Sequence, residues 1–254
     1  MTDEVRVLTD GPIGHIIMNA PKRHNALTMD MLAVMGRALD TFEADPAIRV
    51  IVIGSSGKSF CAGADFGTIR AGKLTENPYA KFIDRLENVR QPTIAALNGG
   101  VYGAGFDLAL ACDFRFGVRG MKASIPAARL GIYYPPDGIE RVVNRLGPEV
   151  ARRLFLAADT LGDMDLLQSR FLTSIVPLDQ LSEKTVTAAH HIASLAPDAV
   201  QGMKMAILQA EHQHLDTAAS IEKMMRSFSS AEHKEGLAAL KEKRTPKFDD
   251  PTLG

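Results

Sequence analysis

The chain has 254 residues, 46% of them hydrophobic and 23% charged. That suits one large globular domain, or a domain with an appendage, and is long enough to bury a full core. A formal net charge of -1 argues against nucleic acid as the main partner, because phosphate binding calls for a clear basic excess. Two cysteines and no basic head before an apolar N-terminal stretch lead to the expectation of a reduced, cytoplasmic protein. The longest weakly polar stretch, residues 93–112, contains Asn98, Asp107 and four glycines, so no membrane span is expected.

In chain order, residues 5–8 and 14–19 read as short strands around a Gly11-Pro12 turn. Thr28 suits a helix N-cap, with Asp30 in the first turn. Leu32, Met35, Leu39 and Phe42 follow at helical spacing, and Pro46 closes the segment. Residues 49–54 are a β-branched run suited to a buried strand, and residues 93–97 are a second apolar strand. Residues 108–112 suit a helix buried on most faces, and residues 114–118 another strand. From Glu149 onward the pattern reads as mostly helical. Ala151, Leu154, Phe155 and Ala158 form one stripe, and helices are predicted over 197–209, 217–228 and 235–243. Strands alternating with helices, then helices alone, predict an α/β core over residues 1–195 with a helical C-terminal region over 196–254.

Two small-residue turns carry the chemistry. One is Phe60-Cys61-Ala62-Gly63-Ala64-Asp65-Phe66. The other is Asn98-Gly99-Gly100-Val101-Tyr102-Gly103-Ala104-Gly105-Phe106-Asp107. Unpaired amides where a strand gives way to a helix favour negative charge. Two such turns facing each other would hold an oxyanion, as a reaction through a thioester enolate requires. Read singly, each is better taken as a tight strand-to-helix connection. Neither matches a dinucleotide fingerprint or a P-loop.

The order and spacing of these turns, with Pro21-Lys22-Arg23-His24-Asn25-Ala26-Leu27, Pro92-Thr93-Ile94-Ala95-Ala96-Leu97-Asn98-Gly99 and Leu108-Ala109-Leu110-Ala111-Cys112-Asp113, resemble the enoyl-CoA hydratase/isomerase (crotonase) superfamily from near residue 5 to the tail. The resemblance implies a spiral of ββα units with C-terminal helices that mediate trimers, which often pair into hexamers. It implies an acyl- or enoyl-CoA ligand, with coenzyme A part of the substrate and no permanently bound cofactor. The thioester oxygen would lie between the amides of Ala64 and Ala104. Coenzyme A contacts would come from Lys22, Arg23, Ala26, Ala62, Asp65 and Phe66, and from Lys247, whose alternative is a solvated tail.

Against that pattern, the first of a hydratase's two glutamates falls on Asp107 and the second on Ala127, which cannot move a proton. Asp107 is then the leading acid/base, or else an unreactive acid paired in the core. Tyr134 is a candidate hydrogen-bond donor, while Tyr133 and Tyr134 alternatively only pack the acyl pocket. Glu140 and Arg141 read as an exposed helix start, and Asp137 as a turn or cap. Isomerisation, decarboxylation or hydrolysis needs fewer acids than hydration. A non-catalytic acyl-CoA-binding protein is the alternative. His212, His214, His190 and His191 have no partners at ligand spacing and read as helix-surface residues rather than a metal site.

Overall fold

A computed structural model describes residues 3–65, 67 and 77–251. Strands β1 (Val5–Asp10) and β2 (Ile13–Met18) form an antiparallel hairpin. Helix α1 (Met29–Ala44) follows. Its N-cap is Thr28, whose hydroxyl accepts from the Met31 amide at 3.2 Å. The predicted stripe faces inward, with Leu32, Met35, Leu39 and Phe42 all buried.

Three strand–strand–helix units come next. They are β3 (Val50–Ser55), β4 (Ser59–Cys61) and α2 (Pro78–Glu87); β5 (Thr93–Leu97), β6 (Gly100–Tyr102) and α3 (Ala104–Ala111); and β7 (Phe114–Val118), β8 (Lys122–Ser124) and α4 (Pro136–Leu146). In each unit the first strand joins one sheet and the second joins another. The larger sheet has the order β1-β2-β3-β5-β7-β10 and the smaller β4-β6-β8-β9. Between successive units every pairing is parallel, so the chain winds as a spiral of ββα turns. The remaining elements are α5 (Pro148–Phe155), β9 (Thr160–Gly162), α6 (Asp163–Gln168), β10 (Ser174–Val176), α7 (Leu181–Ala193), α8 (Pro197–Glu211), α9 (Thr217–Ser227) and α10 (Ala231–Glu242).

One expectation is corrected here. The region after Glu149 is not all helical: β9 and β10 close an edge of each sheet. Both are three residues long, too short to display a two-residue hydrophobic period. The same brevity hid the rest of the smaller sheet, of which β4 and β6 lie inside the two segments that read as turns.

The main core lies between the sheets and α1–α6, while α7 covers the other face of the larger sheet, where Ala189 and Ala193 meet Ile13, Val50, Val52 and Ile94. Helix α8 is fastened by Lys204, whose ammonium donates to Gln91 O at 2.9 Å and lies 2.8 Å from Asp113 Oδ2. Helix α9 has no buried residue, and Ile221, Met224, Met225 and Phe228 at its end are exposed. No described helix is long and apolar enough to cross a membrane.

Candidate active site

The loop before α1 is pinned by Asn25, which is fully buried in a left-handed conformation. Its side-chain amide donates to Ser56 O and Ser59 O at 2.8 and 2.9 Å, and its Oδ1 accepts from the Ala20 amide at 2.8 Å. This lays residue 27 alongside the first small-residue turn. Leu27 donates to Gly63 O at 2.8 Å, and Leu27 O accepts from Asp65 at 2.9 Å. The Ala64 amide between them finds no acceptor among the described residues.

Across from it, β6 runs into Gly103, the N-cap of α3. Gly103 O accepts the amides of Phe106 and Asp107 at 2.9 and 3.3 Å. The Ala104 amide precedes the helical ladder and also has no acceptor among the described residues. The turns abut: a methyl added at Gly63 would lie 3.4 Å from Ala104 N and only 2.9 Å from Tyr102 O. Gly63 sits at φ 101°, which residues with a Cβ rarely adopt.

Both turns border one cavity of about 370 Å³. Ala62, Ala64 and Ala104 line one side, and Tyr79, Ile83, Leu130 and Ile132 the apolar walls. Asp107, Ala127 and Tyr134 also line it. Asp107 is the one charged side chain among the described lining residues, and it is 2% exposed. Its Oδ1 accepts from Arg141 Nη1 at 2.7 Å, and no described group donates to its Oδ2. Burial raises its pKa above the ordinary aspartate value. Arg141 opposes that rise, while Glu87 and Asp84 add to it.

Tyr134 donates to Gly103 O at 3.0 Å, and its ring packs on Phe155 at 5.2 Å. Burial, and then the charge of Asp107, raise the phenol pKa well above its ordinary value, so this group stays protonated. Tyr133, by contrast, is 85% exposed. Cys61 is fully buried, and desolvation lifts its thiol to about 12, which removes it as a nucleophile. Among the described residues no His, Cys, Asp and Glu group could hold a metal.

The other expected ligand contacts are scattered. Ala62 borders the cavity and donates to His24 O at 2.9 Å. Lys22 is exposed and Ala26 half-buried on the same loop. Arg23 is held by two carboxylates, Glu4 and Asp65, each at 2.7 Å. Phe66 lies outside the described residues. Lys247 is exposed in a tail fastened where β3 begins: Arg49 Nη2 donates to Phe248 O at 2.7 Å. The loop of residues 20–27 lies at the other end of that strand, roughly 17 Å away along its length.

Sequence reasoning missed Arg141. It is 2% exposed rather than an exposed helix start, and binds Asp107, Glu87 and Asp84. Its signal is the face of α4 on which Gly138, Arg141 and Val142 are all buried, at the i, i+3, i+4 spacing of a core stripe.

Comparison with known proteins agrees with this architecture. The sequence profile of the enoyl-CoA hydratase/isomerase family matches residues 9–251. The mitochondrial enoyl-CoA hydratase of Pongo abelii is 30% identical over 94% of this chain and 84% of its own length. The crotonyl-CoA hydratase of Syntrophomonas wolfei is 31% identical over 92% and 93%. Among solved structures, an enoyl-CoA hydratase subunit from Geobacillus kaustophilus superposes with a TM-score of 0.89 at 29% identity, covering 98% of each chain. The chain belongs to the enoyl-CoA hydratase/isomerase family.

Proposed function

We propose that the chain is an enzyme acting on an acyl- or enoyl-CoA thioester through an enolate held by the amides of Ala64 and Ala104. Asp107 transfers the proton at the α-carbon, and Tyr134 assists as a donor once its hydroxyl turns from Gly103 O to the ligand. The observation that carries this reading is the meeting of two amides that have no acceptor among the described residues with one buried carboxylate in a single apolar cavity. Amides fixed in a water-poor site stabilise developing charge without reorganising, which is commonly the largest catalytic effect. The apolar walls suit an uncharged acyl group.

Efficient hydration is not part of the proposal. Hydration adds a nucleophile at one carbon and a proton at the next, and Ala127 offers no second acid or base. A positioned acid or base contributes roughly 10²–10⁴-fold, about 3–5 kcal/mol of barrier. A reaction that needs fewer acids fits better: isomerisation, in which one carboxylate carries the proton from one carbon to another, or decarboxylation, whose enolate is protonated once; hydrolysis would use the same amides for a tetrahedral oxyanion instead. Ala127 also favours a second reading, a non-catalytic acyl-CoA-binding protein.

Two further features belong to the proposal. The exposed apolar end of α9 and the exposed Leu237 and Leu240 of α10 suit burial against other copies in a trimer or hexamer. Lys247, remote from the loop of residues 20–27 in its own chain, would then reach a neighbour's coenzyme A.

The test is deuterium exchange at the α-carbon of a short saturated acyl-CoA, beside hydration of crotonyl-CoA. Measurable exchange that falls roughly 10²–10⁴-fold in Asp107→Asn is expected, with slow hydration. Binding without exchange would turn the search to decarboxylation and hydrolysis and would favour the binding-protein reading. Fast hydration abolished by Asp107→Asn would show that another group replaces the acid missing at position 127.

A further inference from the structure

We propose that Arg141 is the positioning residue of this site: it fixes Asp107 with Oδ1 engaged and Oδ2 left without a described donor beside Gly138, and supplies the cation beside which a buried carboxylate can stay charged. The proposal rests on Asp107 being the proton-transfer group.

The guanidinium is used on every side. Nη1 donates to Asp107 Oδ1 at 2.7 Å, Nε to Glu87 Oε1 at 2.8 Å, and Nη2 to Asp84 Oδ1 at 2.6 Å and Glu87 Oε2 at 3.0 Å. A planar fork held at three nitrogens cannot rotate, so the Asp107 carboxylate it grips is oriented too. One turn earlier on α4, Gly138 leaves the gap that Oδ2 faces. A methyl there would lie 2.8 Å from Oδ2 and 2.6 Å from Cε1 of the Tyr134 ring. Helix α4 thus presents one cation and one void to the same carboxylate.

The charges nearest Asp107 come from two helices. Arg141 on α4 is the sole cation in contact with it among the described residues, and Glu87 and Asp84 on α2 oppose its ionisation, as does burial. Tyr134 faces it as a neutral phenol. Beyond Glu87 lie Arg145 at 3.2 Å and His212 at 3.9 Å. A base must be ionised to accept a proton. Removing Arg141 leaves burial and two acids unopposed, so Asp107 ionises only at higher pH. Removing the charge of Glu87 does the reverse.

The experiment is the pH profile of α-hydrogen exchange in the wild type, Arg141→Lys, Arg141→Gln and Glu87→Gln, with the ¹³C titration of the Asp107 carboxyl followed in parallel. The expected result is a midpoint at least one pH unit higher in Arg141→Gln, a tenfold loss on the acidic limb, with a smaller rise in Arg141→Lys and a fall in Glu87→Gln. Variants that lose rate or stability with both midpoints unmoved would overturn the proposal and leave Arg141 a purely structural residue. If Arg141→Gln does not fold, Glu87→Gln decides: a lower midpoint supports the proposal and an unmoved one overturns it. If Asp107→Asn exchanges like the wild type, the enzymatic reading fails instead, and the ¹³C titration alone judges Arg141.

Discussion

Two cavities lie on either side of the Arg141 network, and they differ in kind. The larger, about 540 Å³, is bordered by Glu87, Asp113, Arg115, Arg145, Lys204 and Glu211. The smaller, about 370 Å³, has Asp107 as its one charged described residue. In the larger the charges are held by other charges or by carbonyls, apart from the exposed Arg170 at its border. Lys204 is held by Asp113 and Gln91 O, Arg145 by Glu87 and Glu211, and Arg115 donates to the carbonyls of Phe171, Leu110 and Cys112. Burial lowers the Arg115 pKa to about 10, which leaves it charged at neutral pH. In the smaller, one carboxylate oxygen and two amides are left without described partners among apolar walls. Size and charge count favour the first cavity, but unspent hydrogen-bonding capacity favours the second. A polar group left unpaired in an apolar place is costly, and a ligand can recover that cost.

The largest change should come from giving the smaller cavity a second acid. Ala127 borders it from the short helical turn 126–130 and is 8% exposed. In Ala127→Glu, crotonyl-CoA hydration is expected to rise, approaching the roughly 10²–10⁴-fold of a positioned acid or base. No gain, with folding and acyl-CoA binding intact, would mean that the site lacks more than one carboxylate.

The amide side is tested by Gly63→Ala. The methyl would press on Tyr102 O at 2.9 Å in a backbone region that L-residues avoid. Strain of about 1–3 kcal/mol is expected, and relief by movement would separate the two amides. Exchange should fall by up to about 10²–10³-fold, the effect of losing one oxyanion donor. A variant as active as the wild type would show that the two turns need not abut, and would remove them from the mechanism.

Much of this contrast was legible in the sequence because the smaller cavity is built from local signals. Within each turn the glycines and the alanines beside them sit next to one another along the chain, and Asp107 is three residues past Ala104. Thr28 as a cap and the α1 stripe were readable for the same reason. The Arg141 network was not, since Glu87 is 54 positions away and Asp107 34. A charged pair such as Glu140-Arg141 reads as surface unless its acids are known to be adjacent, and only the spiral makes them so. The Arg23–Asp65 pair, 42 positions apart, escaped in the same way. The smaller sheet was missed for a different reason: three-residue strands carry no period.

The larger cavity gives the smallest expected change in rate, and that makes it the sharper control. Lys204→Met removes the ammonium shared by Asp113 and Gln91 O while keeping most of the apolar stem. Asp113 would still accept from the Thr93 amide at 2.6 Å and its hydroxyl at 3.0 Å, so the carboxylate is not abandoned. The loss should be that of a hydrogen-bonded charge, about 1–3 kcal/mol, which lowers Tm by roughly 2–4 °C per kcal/mol in a chain of this size. Exchange at the acyl α-carbon should be unchanged, because the described partners of Lys204 are Gln91 O and Asp113, neither of which borders the smaller cavity. Calorimetry beside the exchange assay checks both halves. A fall in exchange without a fall in Tm would mean that the two cavities act as one, and that the charges of the larger are part of the catalytic apparatus of the smaller.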